Sequence, residues 1–197
     1  MPSPEHEAYV ASLPPGGATP EVRPSDEAFA ALRREEARPV VTPAGFEVTA
    51  VDAGGVPAFW VAEAGSAPAR TILYLHGGGY IFLTAGQFTP VMAEAARWAG
   101  ARCLGIDYRR APEHPFPAPV EDAVRAYRWL LDQGAVPSTI ALAGDSAGGG
   151  LVIAALLAIR DQGLPLPAAI APGPPMADVS GPDLVTVVTA LLGSPPG

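Results

Sequence analysis

The sequence predicts a three-layer α/β fold: a mostly parallel sheet with helices packed on its faces, opened by an antiparallel hairpin. Three observations predict it. Short runs almost continuous in apolar residues recur at 71–75, 102–106 and 139–143, as strands covered on both faces require. Segments of helical period lie between and after these runs, which reads as right-handed strand–helix–strand units. Ahead of them, two short β-prone runs are separated by Gly54-Gly55, the pattern of a hairpin.

In chain order, residues 1–38 are polar and rich in Pro, Glu and Arg, and read as an N-terminal arm or partial cap. A weak helix after Ser25-Asp26-Glu27 would place Phe29 and Leu32 on one face. Residues 39–197 form the core. Strands are predicted at Phe46–Val51, Ala58–Val61, Thr71–Leu75, Arg102–Ile106 and Thr139–Ala143, with a weak sixth at Ala168–Ala171. A helix is predicted from Thr89 to Ala99. Residues 108–119 carry four prolines and no periodicity, so they read as loop. Val120, Val124, Tyr127 and Leu131 then recur at helical spacing, with Glu121 and Asp122 in the first turn and Gly134 as the stop. The long apolar stretch Leu151–Ile159 is a further helix. The last residues, from Pro172, are rich in Pro and Gly and then apolar; they do not read as further strands, so the sheet is expected to lack its last ones.

Composition narrows the function classes. Apolar residues make up 49% of the 197 and charged ones 16%, the balance of a packed domain. A net charge of −8 argues against nucleic acid or an anionic membrane as partner. A single cysteine suits a reducing compartment. The N-terminus shows neither the basic nor the apolar region of a signal peptide, and no apolar run is long enough to cross a bilayer, so the expected location is the cytoplasm.

The chemistry centres on Gly144-Asp145-Ser146-Ala147-Gly148, a G-x-S-x-G sequence between a buried strand and an apolar helix. Such a turn holds its serine in a strained backbone conformation, so the residues two before and two after it must lack bulk. The amide of Ala147 would sit at a helix N-terminus, where unpaired N–H groups and the helix dipole favour negative charge. Gly77-Gly78-Gly79, directly after another buried strand, lets further amides approach a carbonyl oxygen. These are the donors an acyl-transfer intermediate needs.

Three motifs occur in order: His76-Gly77-Gly78-Gly79-Tyr80, Asp107 to Ala118 (DYRRAPEHPFPA), and Gly144-Asp145-Ser146-Ala147-Gly148-Gly149. Together they resemble the hormone-sensitive lipase family of α/β-hydrolase carboxylesterases, over roughly residues 45–180. The resemblance implies that Ser146 is the acylated nucleophile and that Gly78, Gly79 and Ala147 supply the oxyanion-hole amides. It implies that His76 shapes the loop and that residues 107–118 brace the site. The substrate would be a small, uncharged ester; no cofactor or metal is implied.

One departure stands out. In this fold the triad runs Ser, then Asp or Glu, then His. His6, His76 and His114 all precede Ser146, and none of the 51 residues after it is histidine. The later acids are Asp161, Asp178 and Asp183, of which Asp161 closes a helix and reads as a surface residue. The chain therefore reads as a C-terminally shortened member whose hydrolysis is impaired. The alternatives are a non-catalytic small-molecule-binding pseudoenzyme and a non-functional fragment. Among the remaining candidates, Cys103 reads as a small core residue, and Phe59, Trp98 and Trp129 read as core or sheet-packing residues. Glu113 and Asp145 lie near the motifs without a partner acid. The glycines at 77–79 lack the lysine of a phosphate loop.

Overall fold

Six strands form one mixed sheet: β1 (Phe46–Asp52), β2 (Pro57–Glu63), β3 (Arg70–Leu75), β4 (Ala101–Ile106), β5 (Ile140–Ser146) and β6 (Ala169–Pro175). Their spatial order is β1-β2-β4-β3-β5-β6. Three helices connect them: α1 (Thr89–Ala99), α2 (Ala118–Asp132) and α3 (Ala147–Asp161). The computed structural model describes residues 40–175, together with Arg33. The weak helix around Phe29 and Leu32, and the acids Asp178 and Asp183, lie outside the described residues. The chain divides into two units, Met1–Arg34 and Glu35–Gly197.

The hairpin is antiparallel, with Val48 opposite Val61, and its turn closes through the Ala53 N–H on the Val56 carbonyl at 2.8 Å. β2 joins β4 antiparallel; the other pairings, β3 with β4 and β5, and β5 with β6, are parallel. The predicted fold class is the observed one.

Period-two alternation explains why the central strands are apolar throughout. Leu73, Leu75, Leu104, Ile106, Ile140 and Leu142 face α2 and α3, where Tyr127, Leu130, Leu151 and Ile159 are buried against them. Ile72, Tyr74 and Cys103 face the other way, onto Met92, Ala93 and Ala96 of α1. Each fully buried Leu or Ile here contributes about 1.5–3 kcal/mol. Cys103 is buried in the core and its thiol is pushed up to about 12 by that burial, which leaves it unreactive.

Trp98 is not a core residue: it is 87% exposed. The buried stripe of α1 is Met92, Ala93 and Ala96, and Trp98 lies two residues past Ala96, about 200° around the helix. Trp129 does pack, against Trp60 at 6.2 Å between ring centroids. Two boundaries also move. α2 starts inside the segment read as loop, with Pro119 in its first turn, where a missing N–H costs nothing. β6 runs on through Pro172 to Pro175, which an edge strand allows.

Candidate active site

Ser146 ends β5 and caps α3, with φ 51° and ψ −120°. A non-glycine residue there carries about 1–3 kcal/mol of strain, tolerated only where the surroundings impose it. They do so through missing side chains. A Cβ on Gly148 would lie 2.0 Å from the Leu75 carbonyl oxygen and 2.6 Å from that of His76. A Cβ on Gly144 would lie 2.6 Å from the carbonyl oxygens of Leu75 and Gly148. The turn is thus pressed against the end of β3, where the glycine loop begins.

That loop holds two more non-glycine residues with positive φ, Tyr80 at 62° and Leu83 at 67°. Gly78 has φ 110°, and a Cβ there would meet the Phe82 carbonyl oxygen at 2.1 Å. Its own carbonyl accepts from the N–H groups of Ile81 and Phe82, at 3.1 and 2.8 Å. Among the described residues the amides of Gly78 and Gly79 donate to no backbone acceptor.

His76 is 1% exposed and donates from Nδ1 to the Gly77 carbonyl at 2.7 Å. Its ring stacks on Tyr108, 4.2 Å between centroids and 9° from parallel. Nε2 has no hydrogen-bond partner among the described residues. Burial lowers its pKa from 6.5 to about 4; the nearby Arg110 charge acts in the same direction and the Gly77 bond opposes it. The folded value lies below the unfolded one, so the unfolded state binds more protons between them. Stability should therefore fall as pH drops through that window, by about 2–3 kcal/mol in total. Urea unfolding at pH 7 and pH 4 should show the loss, and His76→Gln should lack this component of it.

The segment 107–118 grips the loop at several points. Asp107 Oδ1 accepts from the Ala85 N–H at 2.6 Å, and burial raises its pKa. Tyr108 Oη donates to the His76 carbonyl at 2.8 Å. Arg110 donates to the Leu83 carbonyl, and the Ala111 N–H to that of Tyr80 at 2.9 Å. The segment is itself anchored by Asp122 of α2, which accepts from the Arg109 N–H at 2.8 Å and from its Nε at 2.9 Å. Tyr80, Ala111, Pro115, Phe116, Val120 and Leu151 line an apolar pocket beside the loop, with the exposed His114 at its rim.

The candidate residues His76, Gly77, Gly78, Gly79, Gly144, Asp145, Ser146, Ala147 and Gly148 therefore all lie at the ends of β3 and β5. Sequence reasoning missed two partners. Asp145 lacks a partner acid but accepts from Tyr74 Oη at 2.9 Å, and Asp122, read only as an acid of the first helical turn, is buried. Asp161 is exposed and pairs with its neighbour Arg160 at 2.7 Å. Among the described residues no group of three or more His, Cys, Asp or Glu is placed to hold a metal, and no helix is long and apolar enough to cross a membrane.

A parallel sheet whose strand ends in a positive-φ serine at a helix N-terminus, beside a glycine loop on the neighbouring strand, is the layout of an α/β hydrolase. A family profile described as alpha/beta hydrolase fold matches residues 72–188. An acetyl-hydrolase of Streptomyces hygroscopicus is 50% identical over 130 residues, 66% of this chain and 43% of that protein. The crystal structure of an esterase/lipase from an uncultured bacterium superposes with a TM-score of 0.76 at 36% identity, covering 99% of this chain and 71% of that one. An esterase from the bacterial hormone-sensitive lipase family gives 0.71 at 36% identity, over 100% and 71%. The chain belongs to the alpha/beta hydrolase fold family, in its hormone-sensitive lipase branch of esterases. It spans less than half the length of the first curated relatives it matches, 43% and 45%.

Proposed function

We propose that this site is that of a serine carboxylic-ester hydrolase acting on small, uncharged esters. Ser146 Oγ attacks the ester carbonyl, and the amides of Gly78, Gly79 and Ala147 hold the oxyanion that develops. The observation that carries this reading is Ser146 itself, strained at φ 51° on a strand-to-helix turn packed against the glycine loop. The amide-lined loop and the N-terminus of α3 supply donors where the negative charge would form, and each donor is worth about 3 kcal/mol to such a transition state. The names of the relatives, acetyl-hydrolase and esterase, point to the same substrate class.

Among the described residues no basic side chain is bonded to the Ser146 hydroxyl to take its proton. His76 commits Nδ1 to Gly77, stays neutral to about pH 4 and is shut in by Tyr108. No histidine follows Ser146 in these 197 residues. We therefore expect this polypeptide, expressed alone, to keep only the binding and oxyanion contributions, a rate roughly 10³–10⁴ above water. Hydrolysis of p-nitrophenyl acetate by the purified chain should be slow, and intact-mass analysis should find acetyl on the parent chain and none on Ser146→Ala. No acylation of the parent, or equal acylation of the two proteins, would overturn the serine reading. Turnover of about 10 s⁻¹, ordinary for an enzyme, would overturn the impairment.

A further inference from the structure

We propose that Tyr74 and Asp145 are positioning residues that hold the glycine loop in register with Ser146; this rests on the serine-hydrolase reading above. Tyr74 lies on β3 two residues before His76, and Asp145 lies on β5 directly before Ser146. The bond between them, Tyr74 Oη to Asp145 Oδ1 at 2.9 Å, ties the strand that feeds the loop to the strand that feeds the nucleophile. It is a direct side-chain link between the two elements whose alignment the oxyanion geometry requires.

Asp145 is crowded on two sides, by the glycine loop and by β6. A Cβ on Gly77 would come within 2.6 Å of Asp145 Oδ2, so the loop passes directly over it. A Cβ on Gly173 of β6 would sit 3.4 Å from the Asp145 Cα. The phenol is confined as well: Tyr74 is 5% exposed and packs on Phe88, which in turn lies against the His76 ring, each pair 5.9 Å between centroids. Burial and the Asp145 charge both raise the Tyr74 pKa, so the hydroxyl remains a donor at any ordinary pH. Hydrophobic packing alone asks only for a ring at position 74. The hydroxyl adds a fixed distance between loop and turn, and a displacement of about 1 Å at a reacting centre can cost 10²-fold in rate.

The test is covalent labelling with a fluorophosphonate, in which the Ser146 Oγ–P bond forms, the P–F bond breaks, and the hydroxyl proton leaves to solvent with fluoride as the departing group. Its maximal rate and its half-saturating concentration are measured separately in the full 197-residue chain. Tyr74→Phe should lower the maximal rate about tenfold, a fraction of that 1 Å effect, and leave the half-saturating concentration unchanged. Asp145→Asn, which keeps the acceptor oxygen, should label like the parent, whereas Asp145→Ala should match Tyr74→Phe and the double variant should lose no more. Amide exchange at residues 78–82 should quicken in Tyr74→Phe while that of α2 stays unchanged. A parental maximal rate in Tyr74→Phe, or Asp145→Asn falling as far as Asp145→Ala, overturns the inference. No labelling of the parent, or equal labelling of Ser146→Ala, overturns the serine reading and this inference with it.

Discussion

Gly148→Ala is expected to destabilise the domain by about 4 kcal/mol, although the position lies in the first turn of a helix. Alanine there would ordinarily gain up to about 1 kcal/mol of helix propensity over glycine. The added methyl carbon instead meets two backbone carbonyls, Leu75 at 2.0 Å and His76 at 2.6 Å, and neither can rotate away as a side chain could. Relief requires α3 to lift from the end of β3, which opens the core around Leu151 and Val152. Urea unfolding followed by circular dichroism measures the effect. A loss under about 1 kcal/mol would show that the turn and β3 are not pressed together as described.

Asp122→Ala should cost about 3 kcal/mol, and the cost should extend to the glycine loop. The Asp122 side chain is 3% exposed and takes the Arg109 N–H, the Arg109 Nε and, at 3.3 Å, Arg125. Removing it strands a backbone N–H and loosens a guanidinium that retains Glu121 at 2.9 Å. Because the Arg109 side chain is 37% exposed, water partly compensates, which places the loss at the lower end of the range for broken buried pairs. Arg109 lies between Tyr108, stacked on His76, and Arg110, bound to Leu83, so the loop should loosen as well. Asp122→Asn, which still accepts from the Arg109 N–H, should fall between the parent and the alanine variant. Equal stability of all three would overturn this account.

Local pattern made the strand and helix order readable, because buried parallel strands, a helical apolar stripe and paired glycines each leave a short-range signature. The G-x-S-x-G turn likewise implies the clearance at Gly144 and Gly148, because its strained serine leaves no room for bulk two residues to either side. What stayed hidden depends on partners far apart in the chain. Asp122 looks like a first-turn acid until Arg109 is placed over it, and Asp145 lacks a partner until Tyr74, 71 residues earlier, is set beside it by strand pairing. Aromatic character says little about helix phase, so Trp98 reads as a packing residue, whereas the small residues Ala93 and Ala96 mark the buried side. Proline reads as a breaker, yet α2 accepts it in the first turn and β6 at the sheet edge.

The packing around the turn also separates two kinds of constraint on its residues. Gly144 and Gly148 are dictated by backbone atoms less than 3 Å from where a side chain would begin. Residue 146 is partly exposed, and its positive-φ conformation is imposed by the turn around it. On the proposal that Ser146 is the nucleophile, the turn is a fixed mount with an exchangeable tool, because the side chain at 146 sets the chemistry while the glycines on either side answer to folding alone.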